Sequence, residues 1–308
     1  MTKLKRCGRG RTRIVELAMA LREYVPPALD PGLRKAYVLI GSATASLRLL
    51  PGFLVVGGQR CGTTSIFHAL AAHPQVHRPP VNKGTDYFTL HYANGPDWYR
   101  GHFPLTQVAG RRSGRFGPAV AFEACTYYLF HPYALERIAR DLPDVKLVAM
   151  LRDPVERSFS AYKHEFGRGF EWEPTFERAL DLEEERLIDE DDRMRTDMTY
   201  ESFTHRHHAY RLRSRYAPQL ERAIDLLGRE RIHVMYSETF FEAPEAEFAR
   251  LLDFLGLRQW APDHFSQLNA RPSDAMQSST RRRLQADFAA DNARLIELVG
   301  TAPRWADN

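Results

Sequence analysis

The hydrophobic and polar positions of the chain follow two alternating patterns. Short apolar runs that are typical of buried strands occur at residues 53–56 and 145–151, and each is followed by a turn and then by a stretch with apolar residues at helical spacing, 63–72 and 155–166. A strand, a turn and a helix in this order form half of a parallel βαβ unit. The pattern therefore predicts an α/β fold in which helices flank a central, mainly parallel sheet.

The remaining hydrophobic segments extend the same fold. Two further strands are predicted at residues 119–123 and 231–236. Further helices are predicted at 132–142, 208–227, 245–255 and 278–299. The acidic residues 175–192 predict a solvated helix and loop. No internal repeat is present in the sequence, so we expect one α/β domain rather than a repeat array.

Composition narrows the class of protein. The 308 residues are 44% hydrophobic and 27% charged, which excludes a mainly disordered, collagen-like or disulfide-scaffold chain. The three cysteines, Cys7, Cys61 and Cys125, are too widely spaced for a thiolate zinc site. The sequence contains no run of about 18 apolar residues that would span a membrane, and no small-residue cleavage site follows the basic start. We therefore expect a cytoplasmic protein.

Positive charge is concentrated at the beginning of the chain. Residues 1–50 contain ten Lys and Arg against three Asp and Glu, whereas the whole chain has a net charge of +4. The turn residues Pro51 and Gly52 follow this segment, so we predict a basic arm, 1–50, and an α/β domain, 51–308. The arm offers peripheral contact with an anionic lipid surface or with nucleic acid, although a solvated helix or frayed terminus is the simpler interpretation.

The strongest local signal is a glycine loop after the first strand, Gly57-Gly-Gln-Arg-Cys-Gly-Thr-Thr-Ser65. Glycines allow a tight turn whose backbone N–H groups converge at the start of a helix, a geometry that binds phosphate. The loop has the frame of a nucleotide P-loop, except that Thr63 stands where the lysine should be and the cation is Arg60. We expect a single P-loop-like domain that is not an ordinary NTPase. A glycine turn capped by hydroxyls is the structural alternative.

A second signal lies after the strand at 145–151, in the sequence Arg152-Asp-Pro-Val-Glu-Arg-Ser-Phe-Ser160. Ligands of open α/β sheets collect beyond the carboxyl ends of the strands, so we expect Arg152 to lie at the same edge as the glycine loop. An Arg fork and the hydroxyl of Ser160, about two helical turns later, suit a second phosphate. The alternative is an ordinary Asp-Pro helix start, with Glu156 and Arg157 as surface charges.

Two anion sites at one edge of a sheet suit a nucleotide with phosphates at both ends. Residues 53–65 and 151–160 resemble the 5′-phosphosulfate loop and the 3′-phosphate motif of the sulfotransferases that use 3′-phosphoadenosine 5′-phosphosulfate (PAPS). The resemblance extends to shorter segments at 82–88, 97–100, 123–132 and the closing helix. It is nearest to the Golgi heparan sulfate sulfotransferases and their bacterial relatives. Two motifs in the right order are far more specific than either alone.

The resemblance implies a role for each matching residue. Arg60 would contact the oxygen that bridges to the departing 3′,5′-bisphosphate. The residues implied to hold the 5′-phosphosulfate are Cys61, Gly62, Thr63, Thr64 and Ser65. Arg152 and Ser160 would hold the 3′-phosphate. The transfer is then expected to need no metal, because Arg60 and backbone N–H groups neutralise the leaving phosphate.

The acceptor side departs from the family pattern. Gly84 stands where the heparan enzymes often have a glutamate general base, and Ala124 replaces the lysine that usually follows the strand glutamate. A hydroxyl that attacks sulfur must lose its proton, so either another base serves or proton transfer is late and weakly assisted. In order of preference the candidate bases are Glu123, Asp86 and His164. Each of them is alternatively an ion pair or a helix cap.

Aromatic and basic residues leave further questions open. Three aromatic pairs either line an acceptor cleft or pack in the core: Tyr87-Phe88, Trp98-Tyr99 and Tyr127-Tyr128. The basic loop that closes over the donor in several relatives is hard to identify, with residues 269–272 or 281–283 as substitutes. His205, His207 and His208 have no partner ligands at suitable spacing, so we predict no metal site.

The leading hypothesis is a PAPS-dependent sulfotransferase that places sulfate on a hydroxyl of a carbohydrate, glycolipid or small natural product, without a metal or a nucleic-acid partner. A nucleotide-dependent kinase or NTPase of related fold would instead require ATP and magnesium. A non-catalytic polyanion-binding protein would depend on residues 1–50 and not on Arg60 or Arg152. A degenerate family member would bind the bisphosphate without transferring sulfate.

Overall fold

The structure is a computed structural model that describes residues 31–265 and 276–307, and it contains a five-stranded sheet. The strands are β1 (Pro51–Gly57), β2 (Val76–His77), β3 (Val120–Ala124), β4 (Lys146–Leu151) and β5 (Ile232–Tyr236). Their order is β2-β3-β1-β4-β5, and every neighbouring pair is parallel. The predicted α/β fold with a parallel central sheet is confirmed. The short strand β2 was not predicted.

Fourteen α-helices accompany the sheet within the described residues. The first seven are α1 (Pro31–Ala43), α2 (Thr63–Ala72), α3 (Pro96–Arg100), α4 (Thr106–Ser113), α5 (Ala134–Asp141), α6 (Pro154–Arg168) and α7 (Phe176–Asp181). The next seven are α8 (Glu183–Leu187), α9 (Glu190–Thr196), α10 (Phe203–His207), α11 (Tyr216–Leu227), α12 (Ser237–Glu242), α13 (Pro244–Leu255) and α14 (Ser278–Val299). Short 3-10 helices lie at Ala45–Leu47, Tyr92–Asn94, Gly114–Phe116, Leu212–Ser214, Arg229–Arg231 and Arg304–Asp307.

Two hydrophobic clusters, one on each face of the sheet, bury the central strands. Alternate residues of β1 point to opposite faces, so that Leu54 and Val56 join one cluster and Phe53 and Val55 the other. Helices α5, α11 and α14 contribute to the first cluster, and α2 and α13 contribute to the second. Because both faces of β1 are covered, its sequence is a continuous apolar run rather than an alternating one.

Most of the predicted helices are observed close to their predicted bounds. The predictions for 63–72 and 278–299 match α2 and α14 at both ends. Those for 132–142, 155–166 and 245–255 correspond to α5, α6 and α13. Helical spacing of apolar residues was therefore a sufficient signal where a helix packs along the sheet or against its neighbours.

The prediction of a helix over residues 208–227 is wrong at its start, because α11 begins at Tyr216. The carbonyl of Tyr210 accepts hydrogen bonds from the Arg157 guanidinium at 2.9 Å and from the Ser158 hydroxyl at 3.0 Å. Both donors belong to α6. Buried side chains from a distant helix therefore occupy a carbonyl that a continuous helix would use for its own ladder.

The acidic segment 175–192 is less solvated than predicted. It forms α7, α8 and the start of α9, and the Glu183 carboxylate within it is buried. The two oxygens of Glu183 accept hydrogen bonds from the backbone N–H groups of Arg211 and Leu212, at 2.9 Å and 2.8 Å. The prediction of a solvated segment is therefore wrong at Glu183, where backbone donors compensate the buried charge.

The part of the predicted basic arm that the structure describes lies against the α/β domain. Helix α1 contacts α3, and Arg48 donates from Nη1 to the carbonyl of Phe103 at 2.7 Å. The carbonyl of Arg48 accepts in turn from Arg100 Nε at 2.7 Å. Residues 1–30, which carry most of the basic charge of the arm, lie outside the described residues. The boundary at residue 50 stays a prediction.

Candidate active site

The glycine loop joins β1 to α2 and has the geometry of an anion-binding turn. Gly57 has a φ of +115°, and a Cβ there would lie 2.1 Å from the carbonyl oxygen of Met150 in β4, so only glycine fits. Gly62 caps α2 in the left-handed conformation, with a φ of +81°. Helix α2 begins at Thr63, and the N–H group of Ser65 donates to the Gly62 carbonyl at 3.0 Å, whereas those of Thr63 and Thr64 have no backbone partner among the described residues. Such a turn binds phosphate.

The two predicted anion motifs lie in contact. Arg60, within the glycine loop, donates from Nε to Ser160 Oγ in α6 at 3.1 Å, across 100 positions of the chain. The carbonyl of Arg60 accepts from Arg152 Nη1 at 3.3 Å. Arg152 directly follows β4, and its own carbonyl accepts from the Tyr216 hydroxyl at 2.9 Å. The loop and the second motif therefore form one polar edge at the carboxyl ends of β1 and β4.

A cation without an assigned role in the sequence analysis lies at the start of α2. Lys83 follows β2, and its Nζ donates to Thr63 Oγ1 at 3.1 Å and to Thr64 Oγ1 at 3.4 Å. Burial lowers the pKa of Lys83 to about 8. The Lys83 ammonium therefore lies at the start of α2, near the position of the lysine in an ordinary P-loop, but it comes from a different loop. Its place in the family-like segment 82–88 was the signal that could have identified it.

The Asp-Pro motif supplies a second buried cation. Arg157, a surface charge in the alternative interpretation of this motif, has only 1% of its surface exposed. Its Nε donates to the carbonyl of Gln59 at 3.2 Å, and its Nη1 donates to Ser214 Oγ at 2.9 Å. The surface interpretation is therefore wrong for Arg157, which holds the glycine loop in place through the Gln59 carbonyl.

Glu123, the first candidate for the general base, is enclosed in the protein. Its Oε2 accepts from the Thr85 N–H at 2.6 Å, and its Oε1 accepts from the hydroxyls of Tyr99 and Tyr128, both at 3.0 Å. Burial raises the pKa of Glu123 to about 7, although these hydrogen bonds oppose the rise. None of its surface is exposed. These are the contacts of a carboxylate that supports the end of β3 rather than those of an open base.

Asp86, the second candidate, lines a cavity beside the glycine loop. Its Oδ1 accepts from Cys125 Sγ at 2.9 Å, and its Oδ2 lies 3.5 Å from Arg206 Nη2. The neighbouring backbone at Gly84 lies so close to β3 that a Cβ there would be 2.5 Å from the Ala124 carbonyl oxygen. A glutamate at position 84 would not fit this loop, which accounts for the departure from the family pattern.

Two cavities adjoin each other, and the first of them is lined by Gln59 of the glycine loop. The first has a volume of about 500 Å³ and a largely polar lining that includes Lys83, Asp86, Arg168, Arg206 and His207. The second has a volume of about 600 Å³ and a more aromatic lining that includes Tyr92, Tyr133, Phe170 and Phe203. Tyr127, Arg206 and His207 line both cavities, so the two spaces meet at these side chains.

The aromatic pairs are divided between the cavities and the core. Tyr127 lines both cavities. The four fully buried members pack in the core instead: Tyr87, Phe88, Tyr99 and Tyr128. Tyr87 stacks on Tyr99 with ring centroids 4.5 Å apart, and Trp98 packs against the same cluster. The core interpretation is therefore confirmed for these four, and Tyr127 stays a candidate for an acceptor cleft.

The predicted histidines occupy separate surroundings. His164, the third candidate base, lies on α6 beside Arg168, 3.4 Å between their side-chain nitrogens, and it is absent from the linings of both described cavities. His205 and His208 are buried against other partners, and of the three neighbouring histidines His207 lines the cavities. Within residues 31–265 and 276–307, no group of three or more His, Cys, Asp or Glu side chains could hold a metal ion.

The basic segment that closes over the donor in relatives stays a prediction. Residues 269–272 lie outside the described residues. In the other candidate segment, Arg281 Nη2 donates to Glu156 Oε1 at 2.5 Å, which attaches the start of α14 to the Asp-Pro motif. Arg283 pairs with Asp181 at 2.9 Å. Of these two arginines, Arg281 therefore contacts the donor motif, through Glu156.

A parallel sheet with a glycine loop after its central strand and a second cationic motif after the adjacent strand defines a P-loop-like α/β protein. The sequence model of the family described as "Sulfotransferase domain" matches residues 50–286. The chain belongs to this family and is a sulfotransferase, so the resemblance predicted from the two motifs is confirmed.

Named relatives support the same family. The solved structure of the sulfotransferase from Alicyclobacillus acidocaldarius is 29% identical, with a TM-score of 0.63, over 84% of this chain and 99% of that one. The membrane-associated sulfotransferase kil1 of Dictyostelium discoideum is 26% identical over 84% of this chain and 67% of its own length. The bifunctional heparan sulfate N-deacetylase/N-sulfotransferase 3 of Homo sapiens is 29% identical over 49% of this chain. This match spans only 18% of the human protein.

Proposed function

We propose that the protein transfers the sulfuryl group of PAPS to a hydroxyl group of a carbohydrate, glycolipid or small natural product. The observation that carries the proposal is the contact of Arg60 with both Ser160 and Arg152, which joins the glycine loop to the second anion motif. A nucleotide with phosphates at both ends requires two such groups of donors close together. A nucleotide bound to an ordinary P-loop needs only the donors of the glycine loop.

The two ends of the donor suit different residues of this edge. The 5′-phosphosulfate suits the N–H groups and hydroxyls of the loop and the first turn of α2, which belong to Cys61, Gly62, Thr63, Thr64 and Ser65. The 3′-phosphate suits Arg152 and Ser160, because a guanidinium fork and a hydroxyl both donate hydrogen bonds. Lys83, which already donates to Thr63 and Thr64, adds positive charge at the 5′ end.

Positioned charge would supply most of the rate acceleration. Sulfuryl transfer resembles phosphoryl transfer, an in-line displacement through a loose transition state. Negative charge grows on the phosphate oxygen that leaves with the 3′,5′-bisphosphate, and cations already held beside it stabilise that charge without reorganisation. We assign this role to Arg60 and Lys83 together. With a pKa of about 8, Lys83 is mostly cationic at neutral pH and loses its charge as the pH rises above 8.

The two cavities are the candidate acceptor site. Lys83, Arg168 and Arg206 line the first cavity, which suits an acceptor with polar or anionic groups. Tyr133 and Phe203 line the second, and sugar rings and flat apolar groups pack on aromatic faces. A relative whose name assigns it to heparan sulfate supports a carbohydrate acceptor.

The competing functions have weaker support. The kinase alternative gains from Lys83, which brings the charge of a P-loop lysine to Thr63, but family membership favours sulfuryl transfer. Polyanion binding and peripheral membrane contact would depend on residues 1–50, of which 1–30 lie outside the described residues. In the described part of the chain, every helix is too short or too polar to cross a bilayer. The cytoplasmic location and the metal-free reaction stay predictions.

Ligand-dependent thermal stability tests the donor site. Adenosine 3′,5′-bisphosphate is compared with AMP, ADP and ATP with magnesium, on the wild-type protein and on Arg152→Ala. Arg178→Ala, which changes an exposed arginine of α7, is the matched control. We expect a selective rise in Tm with the bisphosphate that Arg152→Ala loses and Arg178→Ala keeps. A preference for ATP with magnesium would support the kinase, and no response to any nucleotide would contradict the donor site.

A further inference from the structure

A buried carboxylate and an imidazole form a pair beside the first cavity. Glu165, on α6, is fully buried, and its Oε2 accepts a hydrogen bond from His207 Nδ1 in α10 at 2.9 Å. The other oxygen, Oε1, accepts from the side-chain amide of Gln59 at 2.6 Å. Gln59 belongs to the glycine loop. A single side chain therefore connects this pair to the loop that binds the donor in the proposed function.

The charge of Glu165 determines the tautomer of the imidazole. Burial alone would raise the pKa of Glu165, but the hydrogen bonds that it accepts from His207 and Gln59 help to lower it below its ordinary value. The ionised carboxylate can only accept, so the proton of a neutral His207 is on Nδ1. The lone pair is then on Nε2, for which no hydrogen-bond partner is found among the described residues. Burial lowers the pKa of His207, which favours the neutral ring.

His207 lies where the two cavities meet. Its ring lines both of them, together with Tyr127 and Arg206. The rings of Phe170 and Phe203 pack against it, with centroids 4.4 Å and 4.7 Å away, and 12% of the side chain is exposed. An acceptor in the aromatic cavity would approach the glycine loop past this imidazole, which packing and one hydrogen bond hold in a single orientation.

We propose that His207 is the general base of the transfer and that Glu165 is its positioning residue, an inference that rests on the proposed function. Nε2 of His207 takes the proton of the acceptor hydroxyl while the hydroxyl oxygen forms its bond to sulfur. The bond between sulfur and the 5′-phosphate oxygen breaks, and its electron pair leaves with the 3′,5′-bisphosphate. Glu165 stabilises the imidazolium, which then returns its proton to solvent.

His207 would supply the base that the family pattern places at position 84, where this chain has glycine. Glu123 has both oxygens engaged by hydrogen bonds inside the protein, away from the cavities. Asp86 lines the first cavity, but its two oxygens contact a thiol and an arginine. His207 differs from both, because the nitrogen that would accept the proton has no partner among the described residues and the rest of the ring is held in place.

The pH dependence follows from the charged groups around the imidazole. Helix α6 contributes Glu165, Arg168 and His164. The chain neighbours of His207 contribute Arg206 and His208. The loop across the first cavity contributes Lys83 and Asp86. The Glu165 anion raises the pKa of His207, whereas burial and the arginines lower it. As the pH falls through this pKa, the ring is protonated and stops acting as a base. We therefore expect kcat/KM to fall on the acid side with a slope of one.

Radiolabelled PAPS with three acceptor probes tests the assignment: 2-naphthol, desulfated and N-acetylated heparin, whose acceptor groups are hydroxyls, and water, the last measured as released sulfate. His207→Gln should lower kcat by about 10²–10⁴-fold, keep its affinity for the bisphosphate and lose the acid limb of the pH profile. Glu165→Gln should lower kcat less and move the acid limb to lower pH, because the anion is gone. His68→Gln, which changes an exposed histidine of α2, is the matched control and should leave all three readouts unchanged.

Other outcomes would overturn the assignment. It fails if His207→Gln keeps the acid limb, or if Asp86→Asn loses it while His207→Gln does not. If His207→Gln no longer binds the bisphosphate, His207→Ala with added imidazole replaces it: recovered turnover supports the base, and bisphosphate binding without recovery contradicts it. A wild-type protein that binds no bisphosphate, or that transfers sulfate to none of the three probes, would contradict the proposed function rather than the role of His207.

Discussion

The proposed donor side and the proposed acceptor side of the site are built in different ways. On the donor side, the anion-binding groups follow β1 and β4 directly, and the register that pairs Gly57 with Met150 brings these two segments together. On the proposed acceptor side, the cavity residues come from the loop after β2 and from α10, two segments outside the sheet: Asp86, Arg206 and His207. Strand pairing therefore positions the proposed donor side, whereas the proposed acceptor side depends mainly on contacts between side chains of separate segments.

This difference predicts different sensitivities to mutation. A change in the backbone of the glycine loop disturbs the pairing of β1 with β4 and with it the stability of the sheet. A change in a cavity side chain alters charge or proton transfer while the sheet and the two hydrophobic clusters stay intact. Donor-side backbone changes should therefore appear in unfolding, and acceptor-side changes should appear in turnover.

Gly57→Ala should have the largest effect of these variants, a loss of folding stability, and it tests whether backbone geometry positions the proposed donor side. The new Cβ would lie 2.1 Å from the Met150 carbonyl oxygen at a φ of +115°. Strain and overpacking together should lower the free energy of unfolding by about 4 kcal/mol, measured by chemical denaturation. Gly110→Ala, which meets nothing within 4 Å, is the matched control and should change it by less than about 1 kcal/mol. Equal losses in both variants would contradict the backbone argument.

Lys83→Met should have the next largest effect, and it separates turnover from binding. We expect kcat to fall by about 10²–10³-fold, because the charge on the leaving oxygen is greatest in the transition state. Affinity for the bisphosphate, measured by calorimetry, should change much less. Arg60→Ala should show the same inequality. Equal losses in turnover and binding would mean that these cations only bind the ground state.

Arg152→Ala should weaken binding of the bisphosphate by about 1.5–3 kcal/mol, the range for hydrogen bonds to charged groups. Isothermal titration calorimetry measures this loss. At saturating donor, kcat should stay close to that of the wild type, because the 3′-phosphate is remote from the bond that breaks. Arg178→Ala should bind normally. Unchanged affinity in Arg152→Ala would remove this residue from the 3′-phosphate site.

Glu123→Gln should have the smallest effect on turnover, within about twofold, because the carboxylate is enclosed away from the cavities. Its effect on stability should depend on pH. Burial raises the pKa of Glu123 from 4.5 to about 7, so its contribution to stability is present below pH 4.5 and is lost as the pH rises through 7. Urea denaturation between pH 4.5 and 7 should show a shallower decline in the variant. A kcat loss above tenfold with intact bisphosphate binding would restore Glu123 as the base.

The donor side was predictable because its signals act within short segments. The glycines at 57 and 62 report the local backbone, and the apolar spacing of residues 63–72 reports a helix directly after them. The meeting of this loop with Arg152 followed from one further rule, that the carboxyl ends of parallel strands share an edge. Each inference needed no knowledge of distant side chains.

The surroundings of individual side chains were not predictable on either side of the site, because the same local sequence patterns allow different tertiary contacts. Arg157 has the sequence neighbours of a surface charge, and its burial depends on the Gln59 carbonyl and Ser214 from other segments. The position of Glu123 at the end of a predicted strand made it a candidate base, but its carboxylate is buried and accepts a hydrogen bond from Tyr99. The candidate base His207 has its role only beside Glu165.

The sequence by itself determined the α/β class, the glycine loop, the second cationic motif and, through their order, the sulfotransferase family. These features depend on the spacing of apolar residues, on the positions of the glycines and on the order of the strands, all of which can be identified in the sequence. The tertiary structure alone decided that Lys83 reaches the start of α2 and that His207 meets Glu165. Such contacts join segments that are far apart in the chain, and only the packing of the helices on the sheet brings them together.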